Sequence, residues 1–201
     1  MKTGKWIMVA AVFLMAAGSA QAQIMRREPQ RLERESPTPT SRPQTLDDLF
    51  ARLKKAEDAE EAAGISRLIE RRLTRSGSPT ADLLMRRAVE MAGKGDVNLA
   101  IELTDRVVAL EPKWAHGWVQ RSEFFHALGD VTLAFDDLKR AVVVEPRHFN
   151  AWAALGGFLL EGEEERAALA AFQKALEIYP LFPLVGAHVA RLARKLQGID
   201  I

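Results

Sequence analysis

Residues 149–182 read FNAWAALGGFLLEGEEERAALAAFQKALEIYPLF, and the two preceding stretches of equal length repeat its most constrained positions. An alanine and, twelve residues later, a proline recur at intervals of 34 residues. These columns are Ala100, Ala134 and Ala168, then Pro112, Pro146 and Pro180. Two columns with one period indicate an internal repeat, and a period of about 34 residues is typical of a helix–turn–helix solenoid. The sequence therefore predicts an all-α protein with units at 81–114, 115–148 and 149–182.

The third unit carries the fullest motif. It matches the pattern W-x2-L-G-x2-Y, then A-x3-F, then P. The matching residues are Trp152, Leu155, Gly156, Leu159, Ala168, Phe172, Ala175 and Pro180. The second and first units keep fewer positions, among them Trp118, Phe125, Leu84 and Ala88. On these residues the chain resembles the tetratricopeptide repeat (TPR) family, which implies a right-handed helix–turn–helix solenoid.

The repeat columns have a steric reason. The eighth and twentieth positions of each unit are small, so that the two helices can approach closely, and larger residues around them fill the remaining space. Gly95-Asp96 and Gly129-Asp130 supply a left-handed turn and a helix cap between the two helices. In the third unit the glycine, Gly162, comes one position early. We therefore expect a longer or distorted turn there.

Helical periodicity continues on both sides of the three units. Apolar residues between Leu46 and Leu53 share one face, and the spacing resumes after Gly64. Because only part of this segment matches the repeat, we interpret 45–80 as a helical pair that is either a degenerate repeat or an N-terminal cap. A solenoid needs an end helix with a polar outer face, so 183–201 are expected to form a capping helix and a tail.

The first residues have the pattern of an export signal. Two lysines, a short apolar run and Ala20-Gln21-Ala22 predict a signal peptide at 1–22 that is cleaved after Ala22. The alternative is an uncleaved membrane anchor. Residues 23–44 are rich in Pro, Ser, Thr and charge, and are predicted to be a disordered tether; the alternative is an ordered strap along the solenoid. The signal indicates a periplasmic protein without membrane insertion after cleavage.

Composition excludes several classes of function. The chain has 28 basic and 27 acidic residues and no cysteine, so neither a nucleic-acid-binding surface nor a disulfide is expected. No nucleophile motif or phosphate-binding loop occurs, and we predict no enzyme, cofactor or metal. His116 and His126 lie ten residues apart on one predicted helix, or about 15 Å, which is too far to share an ion.

Two arginines stand where the family usually has leucine. Arg87 and Arg121 occupy the seventh position of their units, in the seam between helices. A buried cation needs a partner, and Asp105 and Asp137 follow on the next helices. We predict a structural ion pair in each of these two units, and favour Arg121 with Asp137; the alternative is that the arginines read a ligand.

The resemblance also implies a concave groove lined by the first helix of each unit. Carrying over the second, fifth, ninth and twelfth positions, together with the loosely constrained Trp114, predicts a partner-binding surface. It comprises Asp82, Met85, Val89, Trp114, His116, Val119, Glu123, His126, Asn150, Ala153, Gly157 and Leu160. The basic residues with which one subclass of the family clamps a peptide carboxylate are missing. An amphipathic helix or an extended segment is the expected ligand, unless the partner binds another face.

These observations predict a non-catalytic adaptor or scaffold that binds a protein or peptide and serves envelope assembly or maintenance. Two alternatives stay open. The first is a self-assembling structural protein that stacks through an apolar end face around Leu184 and Val189. The second is an accessory module of an envelope enzyme complex. The oligomeric state does not follow from the sequence.

Overall fold

The computed structural model describes residues 44–198, and every described element of secondary structure is an α-helix. The helices are α1 (Leu46–Leu53), α2 (Ala59–Leu73), α3 (Pro79–Gly93), α4 (Val97–Leu110), α5 (Ala115–Ala127), α6 (Val131–Val144), α7 (Phe149–Glu161), α8 (Glu165–Ile178) and α9 (Val185–Leu196). None of these helices is long and apolar enough to cross a membrane. The expected signal peptide, all but the last residue of the expected tether, and the final three residues lie outside the described range.

The helix starts follow from capping residues in the sequence. Thr45 and Asp48 form a capping box at α1, in which each backbone N–H donates to the other residue's side chain. Asp96 accepts from the N–H of Leu99 at α4, and Asp130 does the same at α6 for Leu133. These bonds satisfy donors that have no partner inside the helix, and they fix where the second helix begins in the first two units.

Helices α3 to α8 form three hairpins that stack in chain order. Within each hairpin the small columns lie at the contact: Ala88, Ala100, Ala134 and Ala168 are fully buried. The third unit is the tightest, because a Cβ added to Gly156 would lie 2.7 Å from the ring of Phe172. The third unit therefore combines the smallest eighth residue with an aromatic ring at the twenty-fourth position.

The turn of the third unit has the same length and the same left-handed backbone as the other two, but a different residue takes the left-handed conformation. Three residues separate the helices in every unit. Gly95 and Gly129 take positive φ angles of 87° and 82°, and the equivalent residue in the third unit is Glu163, with φ 61°. Because Gly162 stands one position too early, a residue with a side chain takes the left-handed conformation, which is unfavourable. The expectation of a longer or distorted turn was therefore wrong: the third turn differs only in that Glu163 stands where the other two have glycine.

Replacing Glu163 with glycine is expected to stabilise the protein by up to about 1 kcal/mol. The substitution removes a penalty of about 1–2 kcal/mol for the left-handed conformation. Part of this gain is lost because glycine increases the conformational entropy of the unfolded chain. Urea unfolding followed by circular dichroism measures the change. The matched control is Glu102→Gly, an exposed position inside α4, where glycine should cost about 1 kcal/mol. A destabilised Glu163→Gly variant would contradict the strain argument.

The N-terminal hairpin, α1 with α2, has an unexpected position. The helical pair predicted at 45–80 forms, but α2 does not stack alongside α3 as a repeat or a cap at that end would. Instead Leu49, Phe50 and Leu53 share a buried cluster with Phe149 and Tyr179, which belong to the third unit. The hairpin therefore lies against the turns that join successive units.

The end of the solenoid at α3 explains this position. The outward residues Arg87, Glu90 and Lys94 are exposed, and Glu90 pairs with Lys94. A surface this polar offers little area for a stacked helix, although Leu83 is also exposed there. Within residues 44–198, the first unit thus ends the solenoid. At the other end α9 forms the expected capping helix, in which Val185 and Leu192 are buried and Arg191 and Arg194 face outward.

Candidate partner-binding groove

The expected groove residues fall into three groups by their burial. Met85, Val119 and Trp114 are buried in the core. Asp82, His116 and Asn150 are partly buried near the N-terminal ends of the inner helices, where they meet residues of the chain itself. The remaining positions lie further along the inner helices, and most of them are exposed or partly exposed. These are Val89, Glu123, His126, Ala153, Gly157 and Leu160.

For the first group, the structure corrects the prediction of a partner-binding role. Met85 packs with Ala81, Val107 and Trp114, and Val119 belongs to the cluster between the second and third units. The Trp114 indole also donates a hydrogen bond to the carbonyl of Leu73, at 2.7 Å. These three side chains form part of the core and not of an exposed partner surface. Sequence position alone did not distinguish Met85 and Val119, because Ala153 has the same fifth position in the third unit and is only partly buried.

The polar side chains of the second group interact with other residues of the chain itself. Ser76 donates to the Asp82 carboxylate through its hydroxyl at 2.6 Å and through its backbone N–H at 3.0 Å, and these bonds lower the pKa of Asp82. The Asn150 amide donates to Glu70 on α2, at 3.2 Å. The N-terminal end of the groove is therefore covered by the segment from α2 to the start of α3.

His116 meets a histidine that the sequence did not place near it. Its ring stacks on that of His148, with centroids 6.3 Å apart and planes within 4°. Burial lowers the pKa of His116 to about 4, and the neighbouring His148 adds to the effect. Burial also lowers the pKa of His148 to about 4, although Glu145 opposes it. Both imidazoles are therefore neutral at pH 7, and they come together because the stacking of units places successive inner helices side by side.

The third group forms what we call the open groove: Val89, Glu123, His126, Ala153, Gly157 and Leu160. A Cβ built on Gly157 meets nothing within 4 Å, so the space in front of it is free. Glu123 accepts a hydrogen bond from Gln120, yet burial raises the pKa of its carboxyl. His126 lies 3.6 Å from Glu161 and packs on the ring of Phe158. The open groove is thus mildly apolar, carries carboxylates, and contains neither lysine nor arginine.

Arg121 forms the expected ion pair and a second one. Its Nε and one terminal nitrogen each donate to Asp137 at 2.7 Å, and its other terminal nitrogen donates to Asp105 at 2.7 Å. The guanidinium also lies 4.9 Å from the ring centre of Trp118. Burial works against its charge, but the hydrogen bonds to Asp137 and then to Asp105 outweigh it and raise the pKa of Arg121. This arginine holds the seam between the first two units.

The matching pair expected at Arg87 does not form, and this half of the hypothesis was wrong. Asp105, its expected partner, bonds to Arg121, and Arg87 is exposed at the end of the solenoid. The residue sixteen positions after Arg121 is Asp137, whereas the residue sixteen positions after Arg87 is Leu103. That spacing is the sequence signal that separates the two cases.

Two tryptophans link successive units. Trp118 donates from its indole to the carbonyl of Pro112, and Trp152 donates to that of Pro146, each at 2.9 Å. These bonds connect the fourth position of one unit to the proline column of the unit before, which gives both columns a common structural reason. Within residues 44–198, no group of three potential ligand side chains could hold a metal ion.

Comparison with known proteins identifies the family. No family model matches the chain. A TPR repeat-containing protein of Rhizobium etli is 31% identical over 155 residues, which span 77% of this chain and 76% of the relative. The chain belongs to the tetratricopeptide repeat family. The resemblance stated from the repeat columns is thereby confirmed.

Solved structures share the TPR fold. The first TPR of Spaghetti (RPAP3), bound to the HSP90 peptide SRMEEVD, matches 60% of this chain and 95% of its own, with a TM-score of 0.55 and 16% identity. The type III secretion translocator chaperone SycD of Yersinia enterocolitica matches 60% of this chain and 96% of its own, with a TM-score of 0.55 and 16% identity. At such identities the likeness concerns the fold, and the expected all-α solenoid is confirmed.

Proposed function

We propose that this TPR protein is a non-catalytic adaptor or scaffold that binds a segment of a partner protein in the open groove. The observation that supports it is an uncovered stretch of the inner helices in which space is available at Gly157. In the same fold, the first TPR of Spaghetti is bound to a peptide. Apolar contacts along Leu160 and Val89 would supply affinity, and the polar side chains would select the ligand.

The charges favour a ligand with a basic side chain. The peptide SRMEEVD on the Spaghetti domain is acidic, but the open groove offers Glu123, with Glu161 beside His126, and no cation. The Glu123 carboxylate is exposed and accepts from Gln120, but it lacks an ion-pair partner among the described residues. A lysine or arginine of the partner protein next to Glu123 would provide this ion pair. We therefore propose a partner segment with a basic residue among apolar ones.

We also propose that the protein works in the periplasm, in assembly or maintenance of the envelope. This proposal rests on the sequence pattern of residues 1–22, which lie outside the described part of the chain. Self-assembly through an end face is less favoured. Leu184 is 79% exposed, but Val189 packs against the core, so the apolar face expected there is small.

Gly157→Glu is expected to weaken partner binding at least tenfold, because its side chain fills the open groove and adds like charge to Glu123. Helix formation does not suffer, since glutamate has a higher helix propensity than glycine. The matched control is Gly186→Glu in α9, another helical glycine with open space around it. The partner is first captured from an envelope extract with the chain from Gln23, identified by mass spectrometry, and then titrated in purified form.

The proposal requires that the Gly186→Glu control binds like the wild type and that Gly157→Glu does not. Glu123→Lys should weaken binding as well, which tests the basic residue of the partner. Equal binding by all four proteins would place the site outside the open groove.

A further inference from the structure

A second surface of the molecule, apart from the open groove, is covered by the N-terminal hairpin. We call it the rim surface: residues 112–116, 146–150 and 179–182, the turns between units and the helix starts that follow them. The N-terminal hairpin reaches each of these turns. Leu73 accepts from Trp114 at the first, Asp47 pairs with Arg147 at the second, and Phe50 packs near Tyr179 at the third.

Helix α1 contacts the rim surface through a compact pattern. Asp47 accepts from the Arg147 guanidinium at 2.5 Å, and the Phe50 ring centre lies 4.6 Å from the same group. Leu49 and Leu53 are each only 1% exposed, in a cluster with Phe149. A helix of eight residues is too short to be stable by itself in water. Its helical form therefore depends on its contacts with α2, which shares the cluster, and on this docking.

The hairpin is not needed to complete the solenoid. The outward face of α3 is polar without it. The link between α2 and α3, residues 74–78, consists of Thr, Arg, Ser, Gly and Ser, with Gly77 at φ 84°. This short polar link, in which only Ser76 and Ser78 are partly buried, connects the solenoid to a hairpin that docks as a separate piece.

One polar atom of the rim surface has no hydrogen-bond partner within residues 44–198 while the hairpin is docked. His148 is only 4% exposed, and its Nδ1 accepts from the backbone N–H of Ala151 at 3.2 Å. In the neutral ring the proton is then on Nε2, and this atom has no hydrogen-bond partner among the described residues. His148 stands between Arg147 and Phe149, which both contact α1. A buried donor without an acceptor is unfavourable, so a ligand that supplied an acceptor to His148 would gain a hydrogen bond that the hairpin does not make.

We propose that the rim surface is a docking site for an amphipathic helix of a partner protein, and that the N-terminal hairpin occupies it in the free protein. The partner helix carries the pattern of α1: an acidic residue for Arg147, then a leucine and an aromatic residue, then a leucine three positions on. It displaces α1 and provides an oxygen acceptor for His148. This site is separate from the open groove, so either proposal stands or fails without the other.

The test uses a fluorescent peptide of residues 44–57, QTLDDLFARLKKAE, and the chain from Gln23. In the Phe50→Asp protein, the chain's own α1 cannot dock well. The peptide should bind this variant at least tenfold more tightly than the wild type, in which the site is occupied. A second variant that adds Arg147→Glu should weaken binding about tenfold, equal to about 1.4 kcal/mol. A peptide with Asp47→Lys should recover binding to that second variant and lose it to the first.

Equal binding of the peptide to wild type and to Phe50→Asp, or none to the folded variant, would overturn the proposal. Hydrogen exchange of the wild type gives an independent measurement that needs no variant. Amides of α1 and α2 should exchange at least tenfold faster than those of α5 to α8, because the hairpin opens separately. Equal protection would show that the hairpin is an integral part of the fold. A dimer that exchanges hairpins, seen by light scattering, would make a second copy the occupant and also refute the proposal.

Discussion

Replacing Asp137 with alanine is expected to lower the free energy of unfolding by about 3 kcal/mol, because it leaves a buried cation with too few partners. Asp137 is 4% exposed and accepts two hydrogen bonds from Arg121. The Arg121 side chain is itself only 17% exposed, and Asp105, its remaining partner, is 54% exposed. An exposed carboxylate cannot compensate a cation in the seam as a buried one does.

Urea unfolding followed by tryptophan fluorescence and circular dichroism measures this loss. The matched control is Asp136→Ala, which removes the adjacent carboxylate and its exposed pair with Lys139, and should change stability by less than about 0.5 kcal/mol. The double variant Arg121→Leu, Asp137→Ala copies the third unit, where Leu155 and Ala171 stand at the two positions. It should recover most of the loss, since an apolar pair replaces a charged one. If Asp137→Ala costs no more than Asp136→Ala, the ion pair does not hold the seam.

The repeat columns predicted the solenoid because each one encodes a local contact that recurs along the chain. Ala134 and Ala168 are both small because the two helices of their hairpins approach closely there. Trp118 and Trp152 each donate a hydrogen bond to the carbonyl of a proline six residues earlier. The pair of Arg121 and Asp137 could be predicted for the same reason, since both residues belong to one hairpin. Contacts within a unit depend on spacing alone, and the sequence displays spacing directly.

The position of the N-terminal hairpin could not be predicted in this way. Leu49, Phe50 and Leu53 show that α1 has an apolar face, but amphipathicity does not say which surface covers it. Which surface α1 packs against depends on the relative apolarity of two surfaces that are distant in sequence. One is the polar outer face at Arg87, and the other contains the aromatic residues Phe149 and Tyr179. The same limit applies to the groove, whose N-terminal end was expected to be free and is covered by this part of the chain.

Stability is expected to fall as the pH decreases from about 6.5 to about 4, because two buried histidines must remain neutral in the folded protein. Burial lowers the pKa of both His116 and His148 to about 4, whereas an unfolded chain has a histidine pKa of about 6.5. Between these values the unfolded state binds protons that the folded state does not, so acid favours unfolding. The loss is about 3 kcal/mol for each imidazole, and stability no longer depends on these groups above about pH 7.

Urea unfolding at steps between pH 7.5 and pH 4.5 measures this dependence, and the variant His116→Gln, His148→Asn isolates its source. Asparagine at 148 keeps a side-chain oxygen that can accept from Ala151 and cap α7. The double variant should lose most of the pH dependence, and each single variant should lose part of it. The carboxylates whose pKa is shifted do not produce the same result in this pH range. Hydrogen bonds from Ser76 lower the pKa of Asp82, which moves its effect below about pH 4, and burial raises the pKa of Glu123, which gives the opposite sign. An unchanged slope in the double variant would mean that protons reach both rings in the folded protein, and the stacked pair would then be accessible to water.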